Sequence, residues 1–179
     1  MSRLGSTAAE HLAALGTVAI EPGLSEAELT DIEAEFGFAF ADDHRAFLAA
    51  GLPVGGTWPD WRGTGRRSLA TRLQLPVDGI LFAVEWRDFW DDGWGARPAR
   101  MRDALRTAKY RLDRVPRMIP LCSHHYLPAG VPGHPVLSIY QTDISVCAAD
   151  LLDYVDRGQR PDARPVATPT VAFWSDHVS

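Results

Sequence analysis

The most regular stretch of the chain is "EPGLSEAELTDIEAEFGF". Leu29, Ile32 and Phe36 recur at i, i+3 and i+7, the spacing that gathers apolar side chains on one helical face. Ser25 followed by Glu28 forms a capping box, Leu24 and Leu29 bracket it as a hydrophobic staple, and Gly37 supplies the stop. The pattern predicts a helix ending at Phe36. A shorter helix is predicted from Asp42 to Ala50. It buries Phe47 and Leu48, ends at Gly51, and begins with Asp42 and Asp43 as complements to its dipole. Residues 7–15 predict another short helix, with Leu12 and Leu15 facing inward. From about residue 99, the stripe Met101, Ala104, Leu105, Ala108, Leu112 and Val115 predicts a long amphipathic helix that stops before Pro116.

Elsewhere the pattern changes. "ILFAVEW" (80–86) is rich in strand formers and follows Asp78-Gly79, so it predicts a strand. "RMIPLCS", "PVLSIY" and "ISVCAA" predict short strands separated by turns. The run "HHYLPAGVPGH" before the second of these predicts a turn between strands. Residues 51–65 and 87–98 predict loops, and 150–156 one or two helical turns. The last segment, 158–179, predicts an extended, proline-containing tail whose "TVAFW" is a candidate edge strand. This order favours an α+β fold with helices packed against a mixed or antiparallel sheet over a doubly wound βαβ arrangement.

The 179 residues suit one domain, predicted to span 1–157, with 1–22 as a helical extension. Nothing in the sequence approaches the roughly 18 consecutive apolar residues of a membrane helix. Glu10 and His11 lie where a secretory signal would have its apolar core, which predicts no signal peptide. The two cysteines, Cys122 and Cys147, lack metal-type spacing and suit a reducing cytoplasm. A net charge of −5 argues against direct nucleic-acid binding. The charge is uneven: residues 97–117 carry eight basic side chains against Asp103 and Asp113, so the rest of the chain is strongly acidic. An acidic body suits a basic partner. The basic helix face itself is expected to be a solvated outer surface.

Phosphate-binding and dinucleotide glycine motifs, a serine elbow, H-E-x-x-H and C-x-x-C are all absent from the sequence. His124, His125 and His134 raise a metal or general-base reading, with Asp143 or Cys122 as further ligands. Adjacent histidines on an extended strand point to opposite faces, so the run is expected to be structural, with no metal and no cofactor. Five of the six tryptophans fall between residues 58 and 94. Trp86, Phe89 and Trp90 are expected to pack in the core. Trp58 and Trp61, around Pro59-Asp60 and beside Arg62, are candidate exposed anchors, as is the loop holding Asp91, Asp92 and Trp94.

Several segments together resemble the SUKH superfamily of Smi/Knr-type proteins. The N-terminal match runs through Phe36-Gly37, Phe40, Asp43, Phe47-Leu48 and Gly51, with Ala41 where that family usually has proline. Further on, "IPLCSHHYLPAGVPGHPVLSIYQTDISVCAADLLDYV" is similar to a bacterial branch. There His124, Tyr126 and Pro135 match the pattern, while His134 replaces a common asparagine. The resemblance covers about residues 23 to 157. It implies helices on a curved mixed or antiparallel sheet and a role without catalysis: a cytoplasmic immunity protein, monomeric or weakly dimeric, that neutralises a cognate, basic bacterial toxin domain by binding it. The expected surface is a concave sheet face with the loops at Trp58–Arg62 and Asp91–Trp94. His124 is expected to hold its loop through a buried hydrogen bond. A carbohydrate- or small-molecule-binding module is the alternative, and a metal-dependent hydrolase is a more remote one.

Overall fold

In a computed structural model of the protein, residues 2–63, 65–157 and 168–179 are described. The capped helix forms as its sequence dictates. Over α2 (Glu26–Phe36), the Ser25 side chain accepts the Glu28 N–H, and the Glu28 carboxylate accepts the Ser25 N–H at 2.7 Å. Gly37 closes the helix at φ 68°, a left-handed position that suits glycine. Helix α1 (Arg3–Leu15) lies against α3 (Asp42–Ala50), and Gly5 permits the approach. A methyl group on Gly5 would sit 2.0 Å from the Asp43 carbonyl oxygen. Strands β1 (Ala19–Glu21) and β2 (Leu52–Val54) make a small antiparallel pair, with β2 inside a segment predicted to be loop.

The principal sheet is an antiparallel meander of β3 (Met118–Cys122), β4 (His125–Pro128), β5 (Val136–Tyr140) and β6 (Asp143–Ala148). Side-chain alternation sends its residues into two cores. Ile119, Leu121, Leu127, Val136 and Ala148 join α1, α2, α3 and α6 (Leu151–Asp156) on one face. Met118, Tyr126, Leu137, Ile139 and Ile144 join α5 (Met101–Leu112) and the C-terminal segment on the other. The fold is therefore α+β, as the element order predicts. The helices cover both sheet faces, so the expected open concave face is filled. The turn expected before β5 contains β4, which pairs with both neighbours.

The largest departure from the sequence reading is α4 (Arg66–Trp86). Its last third, "ILFAVEW", is helix where strand composition predicts a strand. Pro76 and Gly79 obscure the helical pattern, yet each is accommodated. Pro76 removes the N–H that would bond the Arg72 carbonyl. Gly79 lies against the β5–β6 turn, where a methyl group on it would sit 3.0 Å from the Gln141 Cα. The helix touches both cores, giving Leu69 and Leu73 to one and Ile80 and Val84 to the other. Tertiary burial on two sides outweighs local β propensity here.

The segment "TVAFW", 170–174, does not form the expected edge strand. Residues 170–174 are turn-like, with Val171, Phe173 and Trp174 buried in the second core. The Trp174 indole N–H donates to the Pro116 carbonyl at 3.0 Å, and Val178 makes one parallel bridge to Ile144. The remainder of the predicted tail, 158–167, lies outside the described residues.

Candidate functional site

The side chains singled out by sequence divide between packing and surface. Trp61 is 1% exposed and meets the Phe40 ring edge-on at 5.2 Å. Trp94 is also buried and stacks on Phe173 at 5.5 Å. Neither is an exposed anchor, because each completes a core that the loop closes over. Trp58 is half-buried against Phe47. Asp60 is exposed, and its carboxylate accepts the Gly63 N–H at 2.7 Å. Arg62 is committed to Glu28 at 2.7 Å and to the Pro22 and Gly23 carbonyls. The same guanidinium, with the Ser25 N–H, holds the Glu28 carboxyl down at about pKa 2. Trp58, Asp60 and Arg62 do line one cavity of about 520 Å³. Asp91 pairs with His177 at 2.8 Å, which ties the second tryptophan loop to the C-terminal segment, while Asp92 is exposed.

Phe40 and Phe47 are buried, and Gly51 is extended at φ −170°. Asp43 does more than favour a helix start. Its carboxylate is buried and accepts both the His44 N–H at 3.0 Å and the Gly133 N–H at 2.9 Å, pinning the β4–β5 loop to α3. Pro135 and Tyr126 are buried in the sheet region.

The three histidines do not act together. His124 is exposed and, among the described residues, its Nδ1 meets only the Ser123 hydroxyl at 3.1 Å, so it makes no buried hydrogen bond to them. His134 has that role instead. It is 3% exposed, and its Nε2 accepts the Thr170 N–H at 3.1 Å. Nδ1 then carries the proton and donates to the Pro135 carbonyl at 2.8 Å. Burial pushes the His134 pKa down, which keeps this neutral tautomer. His125 Nδ1 meets the Tyr154 hydroxyl at 2.8 Å, and burial followed by the neighbouring His124 lowers its pKa. The His124 and His125 rings lie only 4.5 Å apart, against the opposite-face expectation. His124 belongs to the turn, after Ser123 at φ 52°, not to the strand. Among the described residues, no group of three or more His, Cys, Asp or Glu side chains could hold a metal.

What sequence reasoning missed is the outer face of α4. Leu75 (49% exposed), Phe82 (42%) and Trp86 (68%) follow one another at seven and four residues, one helical face, and Tyr140 (68%), the last residue of β5, lines one cavity with Leu75 and Phe82. Trp86 is thus a surface residue and not the core residue expected. Asp78 and Glu85 flank Phe82 at i−4 and i+3, exposed and without a cationic partner among the described residues. The neighbouring bases of α5 are already paired, Arg106 with Asp103 and Lys109 with Asp113.

A cavity of about 770 Å³ opens on the same side, between α4, the β3–β4 turn and the β5–β6 turn. Leu75, Phe82, Ile139 and Tyr140 give it apolar walls, and Arg72, Ser123 and His124 add polar groups. No helix is long and apolar enough to cross a membrane among the described residues. Comparisons of the chain with family models, with curated proteins and with solved structures found no match.

Proposed function

We propose that this chain is a non-catalytic protein-binding domain, a cytoplasmic immunity protein that neutralises a cognate bacterial toxin by direct binding. The observation that carries the reading is the exposed row Leu75, Phe82 and Trp86 on α4, joined by Tyr140 and rimmed by Asp78 and Glu85. Contiguous exposed apolar side chains rimmed by charge are characteristic of interaction surfaces, and aromatic residues dominate their energetics. Unpaired carboxylates around the row suit a basic partner and would speed its encounter. The resemblance of residues 23 to 157 to the Smi/Knr-type proteins supplies the toxin as the partner class. The docking surface proposed is the α4 face, in place of the tryptophan loops, because Trp61 and Trp94 are buried.

The test is co-expression with the product of the adjacent gene. Growth rescue and stable co-purification are expected, and both are expected to disappear when Phe82 and Trp86 are replaced by Ser. Rescue that is indifferent to those replacements would remove the α4 face from the account.

A further inference from the structure

The cavity beside α4 has a feature that a protein-docking surface does not require. Arg72 is half-buried in its wall, and one guanidinium nitrogen, Nη2, donates to the Thr57 carbonyl at 2.5 Å and the Ser123 carbonyl at 3.4 Å. Those bonds fix the guanidinium in place. Among the described residues its Nε and Nη1 hydrogens have no acceptor and no carboxylate pairs with the charge. A guanidinium keeps its charge at any physiological pH, and with Nη2 engaged by two carbonyls its Nε–H and Nη1–H groups are left to donate singly to a carboxylate. Ser123 and His124 line the cavity on the same side, as does Tyr126, whose hydroxyl has no hydrogen-bond partner among the described residues. The remaining wall is apolar: Leu75, Phe82, Ile139 and Tyr140.

We propose that this cavity is a binding site for a small amphipathic monocarboxylate, its carboxylate on Arg72 and its apolar body between α4 and the β5–β6 turn. A volume of about 770 Å³ is that of a small-molecule pocket, and a few convergent polar groups in an apolar wall are what orient such ligands. Charge selects a monoanion. One fixed cation faces the ligand, while Asp78 lines the same cavity and opposes a second negative charge. Gly79 shapes the pocket by letting the Gln141 backbone close against the helix. The proposal does not rest on the toxin-binding reading, but Leu75, Phe82 and Tyr140 are shared by the two surfaces.

The probe is 1-naphthaleneacetate, titrated into the full chain by calorimetry, with the uncharged 1-naphthaleneacetamide as control. Saturable one-to-one binding is expected, weakened about tenfold or more in the amide, since a charge-assisted hydrogen bond is about twice as strong as a neutral one. Arg72→Gln is expected to bring the acid down to the affinity of the amide. Because Arg72 also ties two loops, Leu75→Glu reads the site separately: its side chain is exposed, so the fold is retained, and the acid is expected to bind at least about tenfold less tightly. Absence of saturable binding at millimolar probe, equal affinity for acid and amide, or unchanged affinity in folded Leu75→Glu protein would each overturn the proposal.

Discussion

Gly79, in the middle of α4, lies against the backbone of Gln141 in the β5–β6 turn; a methyl group on Gly79 would sit 3.0 Å from the Gln141 Cα and 3.3 Å from its nitrogen. A glycine inside a helix costs about 1 kcal/mol relative to alanine. The close approach explains why it is there. Gly79→Ala is expected to be near neutral, because the propensity gain offsets a tight contact. Gly79→Val is expected to cost about 1–3 kcal/mol through overpacking. Urea unfolding of the two variants checks this, and a stabilised Gly79→Val would contradict the contact.

The two classes of tryptophan give a sharper contrast. Trp61 is 1% exposed and Trp86 68% exposed. Trp61→Ala is expected to destabilise the fold by about 3–5 kcal/mol. Trp86→Ala should stay within about 0.5 kcal/mol, as surface changes do. Thermal or urea unfolding of the two proteins reads the difference.

Helices α1, α2, α3, α5 and α6 and strands β3, β5 and β6 were legible in sequence. Ser25, Glu28 and Gly37 carry cap and stop information locally, so α2 could be read from the residues themselves. Helix α4 could not, because its justification is tertiary. Pro76 and Gly79 look like breakers until Gln141 is in place, and "ILFAVEW" is helical because Ile80, Ala83 and Val84 are buried while Phe82 faces outward. The candidate site was hidden for the same reason. Arg72, His124 and Tyr140 are far apart in the chain, and no local spacing announces that they line one cavity. The histidine run offered a local signal but no shared chemistry, since its members serve three different contacts.

Asp43 is expected to matter for stability rather than binding. Its two carboxylate oxygens accept the His44 and Gly133 N–H groups. Asp43→Ala strands both donors and is expected to cost about 1–3 kcal/mol or more. Chemical denaturation measures the loss. On the proposed immunity reading, protection under permissive growth conditions is expected to persist in folded Asp43→Ala protein.

Acid sensitivity follows from the buried histidines. His44 is 1% exposed, and burial lowers its pKa to about 3 from an ordinary 6.5. Between those values the unfolded chain takes up a proton that the folded chain refuses, so stability is complete above about pH 6.5 and falls as the pH drops toward 3. The slope from this group is about 1.4 kcal/mol per pH unit inside the window. His125 and His134, also shifted down, act with the same sign. Urea unfolding at pH 7 and pH 5 is expected to show the loss, and His44→Leu is expected to reduce it. An unchanged slope in His44→Leu would contradict the account of His44.

The most direct measurement for the central claim is the affinity between the purified chain and the catalytically inactivated product of the adjacent gene, compared with that of the Phe82→Ser, Trp86→Ser double variant. Both replacements are at exposed positions, so the variant is expected to fold as the wild type does. The account predicts tight binding by the wild type, at least about a hundredfold weaker binding by the variant, as for loss of two aromatic anchors, and parallel loss of protection in cells. No binding by the wild type, or equal binding by both proteins, would contradict it.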